Sequence, residues 1–183
     1  VDSSKPEVMR GALAAGASMV NDVNALQQAD ALAVAADSDA AVCLMHRQGE
    51  PQTMQRQPRY HNVVQEVMDF LKMRVDAVRK AGVELERIAV DPGFGFGKTL
   101  EHNLELLRQL HRLASLGVPV LVGLSRKSML GALTGQEVEH RAPASVAAAL
   151  LAVERGARMV RVHDVRATVD ALKVWEAVTM GSR

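Results

Sequence analysis

Short apolar runs alternate with longer amphipathic stretches along this chain. The runs are Ser18-Met19-Val20, Ala40 to Met45, Ile88-Ala89-Val90, Val118 to Val122 and Met159 to Val162, and Val1-Asp2 reads as the end of another. Each is a continuous run, the pattern of a strand buried on both faces. The stretches between them read as helices. Ser3-Ser4-Lys5-Pro6 opens one with hydroxyl residues and an early proline, and it continues through Val8, Met9, Leu13 and Ala14 to Gly16. A short alanine-rich helix lies near Asp30 to Ala36. Val64, Val67, Met68, Leu71, Val75 and Val78 recur at helical spacing between about Val63 and Ala81, and Gly82 ends that helix. Leu104, Leu107, Leu110 and Leu113 predict a helix from about Leu100 to Leu116, stopped by Gly117. Two more follow, from about Ala144 to Glu154 and through Val169, Leu172, Trp175 and Val178. Residues 46–60 form a polar loop, long for a compact domain and of the kind that is usually functional or mobile.

One unit therefore recurs: helix, glycine, apolar strand, polar residue. Such alternation builds a parallel sheet with right-handed crossovers. The polar residues that end the strands are Asp2, Asn21, His46, Asp91, Ser125 and His163, and all gather on one face. Both a TIM barrel and an open doubly wound sheet place their chemistry at that face. A TIM barrel needs eight strands and about 250 residues. Six runs in 183 residues, the first cut to two, favour a TIM (β/α)8 barrel lacking its first two strand-helix units. The expectation is one domain over 1–183 with six neighbouring parallel strands in sequence order.

Composition narrows the function. A net charge of +1 argues against a broad nucleic-acid or membrane surface. No apolar run approaches the ~20 residues of a membrane span. The single cysteine, Cys43, sits in an apolar run and reads as a buried core residue. A soluble, cytoplasmic protein without a leader peptide is expected.

The stretch with the most unusual chemistry is Asp91-Pro92-Gly93-Phe94-Gly95-Phe96-Gly97-Lys98-Thr99, where a strand hands over to a helix. Two of the chain's three phenylalanines lie in it, beside three glycines and a fixed acid. Bare backbone, an acid and aromatic faces suit a flat, polar, heteroaromatic ligand. Gly97-Lys98-Thr99 looks like the end of a P-loop, but Pro92 stands where that motif needs its first glycine. Thr99 reads as the cap of the next helix. Zinc is disfavoured, because no two histidines have short ligand spacing.

The whole pattern resembles the dihydropteroate synthase family. The resemblance rests on Val1-Asp2-Ser3-Ser4-Lys5-Pro6, Asn21-Asp22-Val23, Leu44-Met45-His46, Asp91 through Lys98, Gly123 through Ser128 and Arg161-Val162-His163-Asp164, in the family's order and spacing. Ser3 stands where the family usually has threonine. The family's first strand and first two mobile loops have no counterpart in this chain. The resemblance implies condensation of 6-hydroxymethyl-7,8-dihydropterin pyrophosphate with p-aminobenzoate, a step in folate biosynthesis that sulfonamides block. It implies Mg2+ held outside this chain, a homodimer through the late helices, and no nucleic-acid or membrane partner.

Residue types fit that chemistry. One carboxylate accepts two parallel donors, so Asp91 matches the edge of a pterin that carries a ring N–H and an amino group. Asn21 donates and accepts at another edge, and Asp2 suits a developing pterin cation. Lys127 suits a pterin carbonyl oxygen or ring nitrogen. Ser128, with nearby backbone N–H groups, suits the aminobenzoate carboxylate, and Gly123 lies in the same motif. Phe96 and Met45 can wall a flat ligand. Arg161 and His163 alternate around Val162, point to one side, and suit a leaving pyrophosphate. Asp2, Lys127, Arg161 and His163 are the expected catalytic set. Phe94 is expected under the loop, Arg126 has no expected role, and His61, His102, His111 and His140 read as structural. Two other functions fit the residues less well: a pterin-binding methyltransferase domain, and a chain that binds pterin without turnover. The isolated chain is expected to bind pterin weakly and to turn over little.

Overall fold

The computed structural model describes residues 1–50 and 53–180. Its strands are β1 (Met19–Asp22), β2 (Ala41–Met45), β3 (Ile88–Asp91), β4 (Leu121–Val122) and β5 (Met159–Val160). Parallel ladders join β1 to β2, β2 to β3, and β4 to β5. Single parallel bridges extend the series at both seams, Asp2 to Asn21 and Val90 to Val120. The order therefore follows the sequence, with no reversal of the kind a doubly wound sheet requires. The two ends of the series approach each other at the strands' C-terminal side, where Arg161 Nη1 donates to Asp2 Oδ2 at 3.1 Å.

The helices are α1 (Pro6–Ala14), α2 (Ala29–Ala36), α3 (Val63–Lys80), α4 (Leu100–Arg108), α5 (Ser128–Thr134), α6 (Ala142–Glu154) and α7 (Val165–Met180). Asn62 caps α3 by accepting from the Gln65 N–H, and Val64, Val67, Leu71, Val75 and Val78 bury its apolar stripe. Thr99 and His102 form a reciprocal capping box on α4, which gives His102 its structural role.

Several elements differ from the sequence reading: Asp2 forms a single bridge rather than a sixth strand, the strand expected over 159–162 pairs as a ladder only at Met159–Val160, and α5 has no counterpart in that reading. The helix expected to reach Leu116 stops at Arg108, and Leu110–Leu116 continue as a 3-10 helix. Leu104, Leu107, Leu110 and Leu113 recur every third residue, and a three-residue period lines side chains up on a 3-10 helix. The strand expected over 118–122 pairs as a ladder only at Leu121–Val122. Pro119 has no N–H to give and contributes its carbonyl to Val90 instead, at 3.0 Å. Of the polar loop over 46–60, residues 51 and 52 lie outside the described residues.

Successive strand residues face opposite sides of the sheet. Val20, Val42, Leu44, Ile88, Val90, Val120 and Val122 face the helices and join Met9, Leu71, Phe94, Leu106 and Leu113 in the main core. Met19, Cys43, Ala89, Leu121 and Met159 form a second, smaller cluster on the other face, one residue from each strand. This is a layer of inward side chains, as in a barrel interior. Two residues further along each strand, the same face carries Asn21, Met45, Asp91, Gly123 and Arg161. The next layer above the inner core is therefore mostly polar. Among the described residues, no helix is long and apolar enough to cross a membrane.

Candidate pterin site

Asp91 ends β3 and is only 2% exposed. Burial raises its pKa, and Lys127, the Gly93 N–H, Arg161 and Lys98 pull it back down. Its Oδ1 accepts from Gly93 N at 2.7 Å. A carboxylate has about four acceptor positions, so most of its capacity remains for a ligand. Asn21, on β1 two strands away, is also buried; its Nδ2 donates to Asp2 Oδ2 at 3.0 Å, while Oδ1 has no partner. An unpaired buried acceptor costs roughly 1–3 kcal/mol, which a bound donor recovers. Asp22 beside it does structural work. Its two oxygens accept from Ser4 Oγ, Asn24 N and Leu26 N and close the turn after β1.

The glycine loop after Asp91 is clamped against the loop after β2. Gly93 and Gly97 have φ of 68° and 62°, and a Cβ on either would overlap a backbone oxygen, that of His46 or Gln48. Only glycine supplies both the conformation and the clearance. Phe94 fills the core beneath at 0% exposure. Tyr60 Oη donates to the Gly97 carbonyl at 2.9 Å, and Gln55 donates to that of Gly95. The described part of the 46–60 loop is thus pinned across the glycine loop.

Lys98 holds this clamp from inside. It is 3% exposed. Its ammonium lies 2.9 Å from His46 Nδ1, 3.0 Å from the Gly93 oxygen and 3.1 Å from the Phe96 oxygen. All three donors are used. Burial lowers its pKa to about 7, against the opposing pull of Asp91. Burial and the Lys98 charge also lower His46, to about 3, so His46 is a neutral acceptor and not a proton carrier near neutrality. The sequence reading passed over Lys98 because buried lysines are rare; its place between a fixed turn and a strand-end histidine was the available signal.

Lys127 reaches the same place from the turn after β4. Its ammonium donates to the Phe94 carbonyl and sits 4.8 Å above the half-buried Phe96 ring. Burial lowers its pKa to about 8, with Asp91 raising and Arg161 lowering it. Gly123 lies beside the Arg161 guanidinium, which a Cβ would meet at 3.4 Å. Ser125 Oγ accepts from His163 N at 3.2 Å and pairs with His163 Nδ1 at 2.9 Å. Met45 is 1% exposed, with its Cγ under Gly93. Ser128 is exposed at the first position of α5.

The arrangement is a buried acceptor, one buried and one half-buried ammonium group and an aromatic face, opening toward exposed Arg161, His163 and Asp2. A family model described as pterin binding enzyme matches residues 1–163. The chain belongs to the pterin-binding enzyme family. A dihydropteroate synthase from Haemophilus influenzae is 50% identical over 97% of this chain, and the match spans 64% of that relative's length. A crystal structure of dihydropteroate synthase from Stenotrophomonas maltophilia, with imidazole in its active site, is 55% identical with a TM-score of 0.96. It covers 100% of this chain and 69% of the other. The Xanthomonas albilineans enzyme in complex with 7,8-dihydropteroate is 55% identical with a TM-score of 0.91, over 97% of this chain and 65% of the other. These likenesses give the five-strand arc, extended by the Asp2 bridge, its class: the family fold is the TIM barrel, of which this chain spans about two-thirds.

Proposed function

We propose that the chain carries the pterin site of a dihydropteroate synthase, which joins 6-hydroxymethyl-7,8-dihydropterin pyrophosphate to p-aminobenzoate. The observation that carries this reading is Asp91: a buried carboxylate with free acceptor positions, ringed by cations, in a chain of the pterin-binding family. In this reading Asp91 accepts from the pterin ring N–H and amino group. Asn21 Oδ1 takes a further donor, and Lys127 donates to the pterin carbonyl oxygen or a ring nitrogen. Phe96 and Met45 flank the ring. Ser128 takes the aminobenzoate carboxylate.

The chemistry is one substitution at the pterin methylene carbon. Its C–O bond to pyrophosphate breaks, the C–N bond to the aminobenzoate amine forms, and that amine loses a proton. Arg161 and His163 hold the departing pyrophosphate, while Asp2 stabilises positive charge on the pterin and orients Arg161 through their 3.1 Å pair. Catalysis here is positioning and fixed charge. The Mg2+ that the family resemblance implies belongs on groups outside this chain in this reading; among the described residues, no three His, Cys, Asp or Glu side chains cluster together.

A homodimer through the late helices belongs to the same reading. Leu151 on α6 and Val165, Val169, Val174 and Val178 on α7 are exposed apolar residues. Sedimentation of the protein at micromolar concentration tests it, and a monomer removes the dimer from the account. For the activity, chromatography after incubation with pterin pyrophosphate and p-aminobenzoate, beside calorimetry with 6-hydroxymethylpterin, is the test. Pterin binding that Asp91→Ala abolishes is expected. Failure to bind any pterin overturns the reading.

A further inference from the structure

Arg126 has a backbone that an arginine seldom adopts, with φ of 58°. Single non-glycine residues held there store strain and persist only where the surroundings enforce it. Four contacts enforce it. The Arg126 N–H donates to Ser145 Oγ at 2.9 Å, and Ser145, on α6, is 2% exposed. The Arg126 carbonyl accepts from Arg141 Nη1 at 3.1 Å. The Arg126 side chain grips Asp164 with two bonds, Nε to Oδ2 at 3.1 Å and Nη2 to Oδ1 at 2.8 Å. Arg141 gains its place because Gly131 has no Cβ, which would overlap the guanidinium.

The two neighbours of Arg126 explain what this rigidity serves. Ser125 carries both hydrogen bonds to His163. Lys127 reaches the Phe94 carbonyl and the Phe96 ring. The paired Asp164 directly follows His163. One residue therefore fastens the end of β4 to the end of β5, with Lys127 on one side of the clasp and His163 on the other.

We propose that Arg126 is a positioning residue that fixes the spacing between the pterin-facing Lys127 and the pyrophosphate-facing His163. The proposal rests on the function argued above. The Arg126 guanidinium bonds Asp164 rather than Lys127 or His163, so its effect has a signature. A ligand that bridges both subsites gains from their fixed spacing, whereas a ligand that fills one subsite does not.

The test compares three ligands by calorimetry: 6-hydroxymethylpterin, inorganic pyrophosphate, and the pterin pyrophosphate that joins them. Arg126→Ala should weaken the bridging ligand at least ten-fold and each separate part less than three-fold. Asp164→Asn, which opens the clasp from the other side, should give the same pattern, and Arg126→Lys, which keeps the charge but not the fork, an intermediate one. Thermal midpoints confirm that each variant is folded at the assay temperature, and should Arg126→Ala be unfolded, Asp164→Asn decides. Equal losses for all three ligands, or no loss for the bridging ligand, overturn the proposal. A parent protein that binds no pterin overturns the proposed function instead, so the two failures are distinguishable.

Discussion

The two ends of the site are built by opposite means. Around β1 to β3, Asp91, Asn21, Lys98 and His46 are all buried, and full ladders hold the strands. Around β4 and β5 the strands are two residues long, and Arg161 and His163 are exposed. At the first end burial sets the chemistry: it is the largest cause of the Asp91, Lys98 and His46 shifts. At the second end charges meet in water, as in the Arg161–Asp2 pair, whose side chains are 50% and 49% exposed. A flat ring with fixed donors needs dry, exact partners, because unpaired polar groups there are costly. A leaving anion carries its own charge and is served by accessible cations.

The glycines sharpen this contrast most. Gly93→Ala should destabilise the protein by about 3 kcal/mol, combining positive-φ strain with overlap of the fixed His46 carbonyl. Gly123→Ala meets only the end of the flexible Arg161 side chain, so its cost should stay below about 1 kcal/mol. Thermal and urea unfolding of the two variants measure both, and equal costs would erase the difference between the ends.

Lys98→Met comes next. It strips the donor from His46 and from two loop carbonyls but also removes a buried charge, so the net cost should be about 2 kcal/mol. Its pH dependence has a definite sign. The folded-state pKa, about 7, lies below the ordinary value of 10.5, so between these the unfolded chain binds more protons. Stability relative to Lys98→Met should therefore rise as pH climbs from about 7 to 10.5, the cost of the buried charge being fully present below that window. Urea titrations of both proteins across that range are the check, and a constant difference would mean that Lys98 is not buried as an ammonium group.

The smallest effect belongs to the exposed end. Asp2→Asn removes one partner of a half-exposed ion pair and should shift stability by less than about 1 kcal/mol. The shift should shrink further when unfolding is repeated at high salt.

Much of the fold was legible because short continuous apolar runs and glycine-terminated helices alternate along the chain. Strand order and all seven helix positions follow from that rhythm, apart from α5, which is too short to show a period. The leucines of 104–113 misled the reading, since a three-residue spacing satisfies α and 3-10 helices alike over a few turns. The position of Asp91 at a strand end was readable from Ile88-Ala89-Val90 and the glycines after it. The clamp under it was not, since Lys98 meets His46 across 52 residues of sequence. Arg126 was hidden for a related reason. Its backbone angle and its grip on Asp164 depend on α6 and on the end of β5, and nothing in Ser125-Arg126-Lys127-Ser128 announces them.

The central claim is that the buried end reads the ring and the exposed end holds the anion. Calorimetry with 6-hydroxymethylpterin, which lacks pyrophosphate, on Asp91→Asn and Arg161→Ala tests it most directly. The account predicts that Asp91→Asn loses at least ten-fold in affinity, since an amide leaves one ring donor facing an NH2 group, at roughly 1–3 kcal/mol. It predicts less than a three-fold change for Arg161→Ala. A loss in Arg161→Ala that equals or exceeds the loss in Asp91→Asn would contradict it.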